Sequence, residues 1–342
     1  MTPSFDVLGT AVAIQLAVAA ALLVCYVGFA ARRLVDREPA RDHALRAVLA
    51  ELQAGTAPRA PAELERLDRR SRLRVVLRAA TTASGSAQER LRRIAASVGL
   101  TADAERASRS RFWWRRLEAA HLCSALGLPV PAIRMLLHDP VTAVRAQAVE
   151  WALVDPEPAT IRTLLGLLDD PEALCRFAVL DTLIRMGRPV VPELARHLRS
   201  RSGTGAVAAL TVAGAIADAA LLPELERLSE DDDPRCRTAC LNAFGAVGGV
   251  GAAAAVEHGL GDRDGAVREA AARNAALLGQ WTAAPGIAPL LRDPTWEVRR
   301  AAGYALRSFG AIGQVYLRQA LDDPDRFAAD MAHQLLDLSV TS

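Results

Sequence analysis

Apolar positions along this chain follow two short patterns that alternate and repeat together. One is rich in leucine, as in residues 131–138 (PAIRMLLH), and the other is rich in alanine and valine, as in residues 141–153. In both patterns apolar residues recur three or four positions apart, which is the spacing of one face of an α-helix. Runs that alternate apolar and polar residues, the pattern of a strand, are nearly absent. The chain is therefore predicted to be all-α and built from pairs of short helices.

An aspartate and an arginine mark the junction within each pair of helices. The Asp-Pro dipeptide found at several junctions is expected to end the first helix and begin the second, and the second helices are expected to end at Gly187, Gly245, Gly279 and Gly310. The arginine follows the aspartate by six residues in five places: Asp139 and Arg145, Asp170 and Arg176, Asp231 and Arg237, Asp262 and Arg268, and Asp293 and Arg299. Successive aspartates lie 31 residues apart, except for one double step of 61 from Asp170 to Asp231. A constant period of this length predicts stacked copies of one helical unit rather than a single globular core.

The phrase LL-x-DP-x-x-x-VR-x-x-A with a trailing glycine resembles the HEAT-repeat family, in its bacterial form with repeats of the PBS-lyase type. The resemblance covers residues 108–342 and implies a right-handed α-solenoid of about eight helical hairpins. It also implies that the Asp–Arg pairs form a ladder of charge-assisted hydrogen bonds between neighbouring units. In this family the second helix of each pair lines the inner face, where partners usually dock.

Two units depart from the repeated pattern. Around residues 200–207 (SRSGTGAV) the ladder aspartate and arginine are both replaced, and glycines are frequent. We expect a bend or hinge there. In the last unit Asp323 is followed six residues later by Ala329, so the ladder arginine is missing where no further unit follows.

A long apolar segment precedes the repeats. Residues 8–31 contain no charged side chain, and 24 residues of helix are long enough to cross a bilayer. Arg32, Arg33, Arg37 and Arg41 follow the segment, whereas residues 1–7 contain no basic residue. Because basic residues stay in the cytoplasm, the segment is predicted to be a single transmembrane helix with residues 1–7 outside and the repeats inside. A cleaved secretory signal is the alternative, but the basic stretch that begins such signals is missing.

Between the membrane segment and the repeats the chain is basic. Residues 32–116 hold 20 arginines against 10 acidic residues. Residues 32–60 are predicted to be a juxtamembrane connector, and residues 61–107 a helical cap or degenerate repeats, with helices over 43–54, 62–80, 88–98 and 102–107. The basic charge sets the topology and also suits contact with anionic lipid.

Neither the composition nor the motifs point to catalysis. Hydrophobic residues make up 51% of the chain and aromatic residues 4%, which suits helices packed on small side chains. The five cysteines form no CxxC pair, and Cys175 and Cys236 stand where sister units have valine, so they are predicted to lie in the core. Metal-binding histidine pairs, a P-loop and a GxSxG motif are absent. We expect no enzyme activity, no cofactor and no metal.

Residues 117–342 carry 21 arginines against 28 acidic residues, which disfavours nucleic acid. Trp296, between Asp293 and Arg299, is a candidate contact with a protein partner, with packing between units as the alternative. We therefore expect a scaffold for protein assembly at the cytoplasmic membrane, with the repeats in the cytoplasm. The alternatives are an accessory subunit of a membrane enzyme complex, for instance one that makes surface polysaccharide, and a HEAT-like lyase or ligand-binding protein.

Overall fold

The computed structural model describes residues 38–53 and 60–340, and every regular element in these ranges is helical. The chain divides into two compact units after Leu136. The predicted transmembrane segment 8–31 lies outside the described residues. Within the described ranges no helix combines the length and the apolar character needed to cross a bilayer.

The first unit contains six helices in the described residues. They are α1 (38–53), α2 (Ala60–Glu65), α3 (Arg69–Ala80), α4 (Ser86–Ser97), α5 (Leu100–Ser108) and α6 (Trp113–Leu126). The prediction of one helix over 62–80 is wrong, because the chain turns between α2 and α3. The Asp68 carboxylate accepts a hydrogen bond from the Ser71 N–H at 2.7 Å and so caps the start of α3.

The second unit is an array in which a first and a second helix alternate. The first helices are α8 (Pro158–Gly166), α10 (Val191–Arg199), α12 (Leu222–Leu228), α14 (Val250–Leu260), α16 (Ala284–Ile287) and α18 (Ala311–Gln319). Short 3₁₀ turns extend several of them. The second helices are α7 (Thr142–Trp151), α9 (Ala173–Met186), α11 (Thr204–Ile216), α13 (Pro234–Val247), α15 (Gly265–Leu277), α17 (Trp296–Ser308) and α19 (Arg326–Val340).

The ladder aspartates cap turns rather than helices. The expectation that an Asp-Pro dipeptide begins the second helix holds at Asp233-Pro234 of α13, but α9 begins three residues after Asp170. The Asp170 carboxylate instead accepts the N–H of Glu172 at 2.9 Å, and Asp262 accepts the N–H of Asp264 at 2.8 Å. The same hydrogen bond, from the backbone N–H two residues later, is made to the carboxylates of Asp139, Asp231, Asp293 and Asp323. Each carboxylate thereby stabilises the tight turn between two helices.

Neighbouring second helices pack closely along most of the array, whereas neighbouring first helices lie further apart. The second helices therefore form the inner side of the array. The core between the two layers consists of small and branched apolar side chains. Val144, Val267 and Val298 are fully buried, and Cys175 and Cys236 are buried at the equivalent positions, as predicted.

Glycine has two different uses in the second helices. Gly187, Gly279 and Gly310 have positive φ angles at helix ends, as expected of glycine there. Gly245 was expected to end α13, but it lies inside that helix, which ends at Gly248. A Cβ atom on Gly245 would lie 1.9 Å from Oδ1 of Asn274. Glycine at this position therefore allows α15 to approach α13.

Candidate partner-binding surface

Each ladder arginine is held in place by its own turn. The Arg145 Nη1 donates to the carbonyl oxygens of Asp139 at 2.7 Å and Pro140 at 3.3 Å. The equivalent contacts recur at Arg176, Arg237, Arg268 and Arg299. These hydrogen bonds leave the Nε and Nη2 edge of each guanidinium directed at the next unit.

That edge binds the aspartate of the following repeat. Arg237 donates from Nε and Nη2 to the two carboxylate oxygens of Asp262, both at 2.7 Å. The pairs Arg145–Asp170 and Arg268–Asp293 have the same arrangement, at 2.7 to 3.0 Å. The side-chain partner of each of these arginines therefore lies 25 residues later, not six residues earlier. The six-residue spacing reflects the hydrogen bond to the backbone of the turn.

The ladder changes the pKa of its carboxylates. Burial by itself would raise the pKa of Asp262, but the hydrogen bonds from Arg237 and from the Asp264 N–H outweigh it and lower the pKa. The same balance lowers the pKa of Asp170 and Asp293. These side chains are therefore ionised in the folded array at neutral pH, as bidentate pairing requires.

The ladder is interrupted between α9 and α11. Arg201 stands 31 residues after Asp170, in the place of the next aspartate, and pairs with Asp169 at 2.9 Å. Across the missing rung, α9 and α11 pack less closely than other neighbouring second helices. The Asp231 carboxylate, which has no arginine to accept from in the preceding unit, accepts the Gly203 N–H at 2.9 Å.

At the end of the array a different pair replaces the ladder. Asp323 is bound by Arg292 from the first-helix side, with Nε to carboxylate distances of 2.8 and 2.9 Å. The Arg299 guanidinium instead lies over the ring of Phe327, 4.7 Å from its centre. The final rung is thus a cation–π contact rather than an ion pair.

A second row of ion pairs, absent from the sequence prediction, joins the first helices. Glu193 and Glu224 are both buried and lie 31 residues apart in the matching stretches VPEL and LPEL. Arg162 contacts Glu193 at 3.2 Å, and Arg199 contacts Glu224 at 3.1 Å. The sequence does contain a signal for this second row: Pro-Glu-Leu is repeated, and an arginine follows each glutamate by three residues. Arg116 is a further arginine of the ladder type, whose Nη1 donates to the carbonyl oxygen of Ser110. Because serine replaces aspartate there, the Asp–Arg spacing did not reveal it.

A groove follows the inner side of the array over α11, α13 and α15. It encloses about 610 Å³, and its lining is mainly apolar, with Val207, Thr211, Thr238, Ala239 and Asn242 among the contributors. The Thr238 Oγ1 is buried and meets no hydrogen-bond partner among the described residues. A partly polar, mainly apolar trough of this kind suits a peptide segment with one or two polar contacts.

The tryptophans divide between core and surface. Trp151 is fully buried in α7, whereas Trp296 is 53% exposed. The guanidinium of Arg300 lies over the Trp296 ring at 5.2 Å, and Tyr304, one turn further along α17, is also exposed. About half of the Trp296 side chain is therefore open to solvent.

The described cysteines are buried, and the pKa of three of them, Cys123, Cys175 and Cys240, is raised, whereas the hydrogen bond with Cys240 lowers the pKa of Cys236. Burial raises the pKa of Cys123 to about 12. The hydrogen bond shared with Cys236, together with burial, raises the pKa of Cys240. In the described part of the chain, no group of histidine, cysteine, aspartate or glutamate side chains could hold a metal ion. Thiols that stay protonated are poor nucleophiles and poor metal ligands.

Of the four arginines predicted to set the topology, Arg41 lies in the described residues, and Arg32, Arg33 and Arg37 lie outside them. Arg41 is in α1 and lines a cleft of about 410 Å³ with Arg74 and Arg78 of α3. Glu38 and Asp42 border the same cleft, so the basic cluster is partly neutralised.

Comparison with known proteins identifies the repeats. A family profile described as HEAT repeats matches residues 191–275 and 259–336. No curated protein matches the chain.

Solved structures match the chain at low sequence identity. An engineered protein is 17% identical, with 88% of this chain and 94% of that chain covered and a TM-score of 0.39. Human deoxyhypusine hydroxylase is 18% identical, with 87% and 98% covered and a TM-score of 0.31. A chain of the Kap95p–RanGDP structure is 13% identical, with 85% and 50% covered and a TM-score of 0.48.

Proposed function

We propose that this protein is a scaffold that holds a protein partner at the cytoplasmic membrane. Residues 8–31 anchor the chain, and the HEAT repeats present their inner side to the partner in the cytoplasm. An anchored array raises the local concentration of its partner next to membrane components. The proposal assigns the chain no catalysis and no cofactor, and nucleic acid is not the expected ligand.

The observation that carries this proposal is the open groove on the second helices. It combines about 610 Å³ of mainly apolar space with exposed aromatic residues further along the same row of helices, at Trp296 and Tyr304. Large aromatic side chains with a nearby arginine are frequent anchors in protein interfaces. The membrane partner itself belongs either to a general assembly or to an enzyme complex in which this chain is an accessory subunit.

An affinity pull-down of the full-length chain from native membranes in mild detergent tests the proposal. Thr211→Trp places a large ring in the groove from an exposed position of α11. Gln319→Trp makes the same change at an exposed position of the first helix α18. We expect a stoichiometric protein that is recovered with the wild type and with Gln319→Trp but is lost with Thr211→Trp.

Equal recovery with both variants would show that the groove is not the binding surface. Deletion of residues 1–31 tests the anchor, and we expect the shortened chain to leave the membrane fraction. A bound small molecule without any enriched protein would overturn the scaffold and favour the ligand-binding or lyase alternative.

A further inference from the structure

Arg176 keeps the ladder geometry but binds no carboxylate among the residues that the structure describes. Its Nη1 donates to the carbonyl oxygens of Asp170 at 2.7 Å and Pro171 at 2.9 Å, as in the sister units. In three sister units the remaining edge of the guanidinium binds an aspartate through two hydrogen bonds. Within the described ranges the Nε and Nη2 of Arg176 meet no such group, and the side chain is exposed. The open edge of Arg176 is thus held in the orientation in which the sister arginines bind an aspartate.

The surroundings of Arg176 favour an acidic ligand. Arg201 occupies the position of the missing aspartate, so this rung lacks the carboxylate of the sister rungs, while Arg201 itself pairs with Asp169 at 2.9 Å. A carboxylate that entered the gap would restore the charge balance of the intact rungs.

The two other interrupted rungs are satisfied within the chain. Asp231 accepts the Gly203 N–H, and the Arg299 guanidinium is covered by the Phe327 ring. Among the five predicted ladder arginines, Arg176 alone shows neither a carboxylate nor a ring on its open edge in the described structure. Arg299 also lacks an aspartate partner, yet a ring covers it, so the open edge of Arg176 does not follow from the missing aspartate alone.

Exposed apolar side chains lie beside Arg176 on α9. Leu174 is 59% exposed and Phe177 is 71% exposed. Leu174 lies two residues before the ladder arginine, and Phe177 lies one residue after it. In α13 the same two positions are held by Arg235 and Thr238, and both of these side chains line the groove. Leu174 and Phe177 therefore face the inner side of the array, next to the open rung.

We propose that Arg176 captures an aspartate or glutamate of a partner peptide whose neighbouring residues are apolar. The peptide carboxylate takes the place that Asp262 has against Arg237, with two hydrogen bonds to Nε and Nη2, and its apolar neighbours pack on Leu174 and Phe177. Because Nη1 is already held by two carbonyl oxygens, little side-chain freedom is lost on binding. This inference rests on the proposed function and specifies the partner's chemistry at one place on the inner side.

The probe for this site is a phage-displayed library of random peptides, selected on the full-length protein in detergent. The same library is selected in parallel on Arg176→Gln. The matched control is Arg185→Gln. It removes an exposed arginine near the C-terminal end of the same helix, α9, where Arg185 pairs with Asp181. We expect peptides with an acidic residue next to leucine or phenylalanine to be enriched on the wild type and the control, but not on Arg176→Gln.

Synthetic copies of an enriched peptide then measure affinity. Replacing the peptide carboxylate by its amide, or Arg176 by glutamine, is expected to weaken binding on the order of tenfold, as for loss of a charged hydrogen bond. Phe177→Ala is expected to weaken it as well. Enrichment without acidic residues, equal enrichment on Arg176→Gln, or no enrichment at all would overturn the inference. If the membrane partner is still recovered by Arg176→Gln but not by Thr211→Trp, the scaffold proposal stands and only this inference fails.

Discussion

Arg237 and Asp262 lie 25 residues apart in the chain and join two consecutive repeats through a pair of parallel hydrogen bonds, each 2.7 Å long. Both side chains are more than nine-tenths buried. The same arginine also binds the backbone of its own turn, so one side chain connects a turn to the unit that follows. Rungs of this kind set the spacing between second helices as well as contributing to stability.

The first prediction concerns the stability of the intact rung. Arg237→Ala leaves the buried Asp262 carboxylate without its counter-charge, and we expect the free energy of unfolding to fall by about 3 kcal/mol. Arg176→Ala removes an equivalent arginine that has no carboxylate partner, so the expected loss is about 1 kcal/mol or less. Urea denaturation followed by circular dichroism gives both values. Equal losses at the two positions would mean that the carboxylate pairing contributes little.

The second prediction concerns acid. The pKa values of Asp170, Asp262 and Asp293 are lowered in the folded chain from a reference of 3.8. Their pairing therefore contributes fully above about pH 4, and the contribution is lost as the pH falls through the lowered pKa values. We expect the urea midpoint to drop steeply below about pH 4. In Asp262→Asn this acid-dependent drop should be smaller than in the wild type, and an unchanged pH profile would contradict the assignment.

The third prediction concerns the approach of α13 and α15. Gly245→Ala forces a Cβ atom against the Asn274 side chain, which also donates to Ala270 and Asn242. Overpacking at such a contact is expected to cost about 1–3 kcal/mol. The control is Gly166→Ala in α8, where a Cβ atom would meet nothing within 4 Å and the change is expected to be neutral or slightly stabilising. Thermal unfolding of the two variants compares them, and similar melting temperatures would refute the close-approach role of Gly245.

The fourth prediction concerns the thiols. Burial raises the pKa of Cys123 to about 12 and also raises that of Cys175. We expect Cys123, Cys175 and Cys240 to resist alkylation by iodoacetamide in the native protein at mildly alkaline pH and to react once urea unfolds the array. Peptide mapping by mass spectrometry reports each site separately. Rapid labelling of Cys123 without urea would show that the core around it opens readily.

The helical class and the repeat follow from the sequence alone. Its leucine-rich and alanine-rich patterns have the helical period, and the Asp–Arg spacing identified five arginines that all bind the backbone of their own turn. These features are local, because a helix face and a six-residue turn depend on neighbours in the chain. The buried positions of Cys175 and Cys236 followed from the same register.

Which aspartate, if any, each of those arginines binds across units depends on how the units stack. The partner of Arg237 is Asp262 because stacking brings the next turn against the guanidinium, and no local spacing carries that information. The role of Gly245 was misjudged for the same reason, since the side chain that requires glycine there, Asn274, belongs to the next second helix. The open edge of Arg176, the exposure of Trp296 and the groove over α13 depend on which helix faces remain uncovered after the units stack.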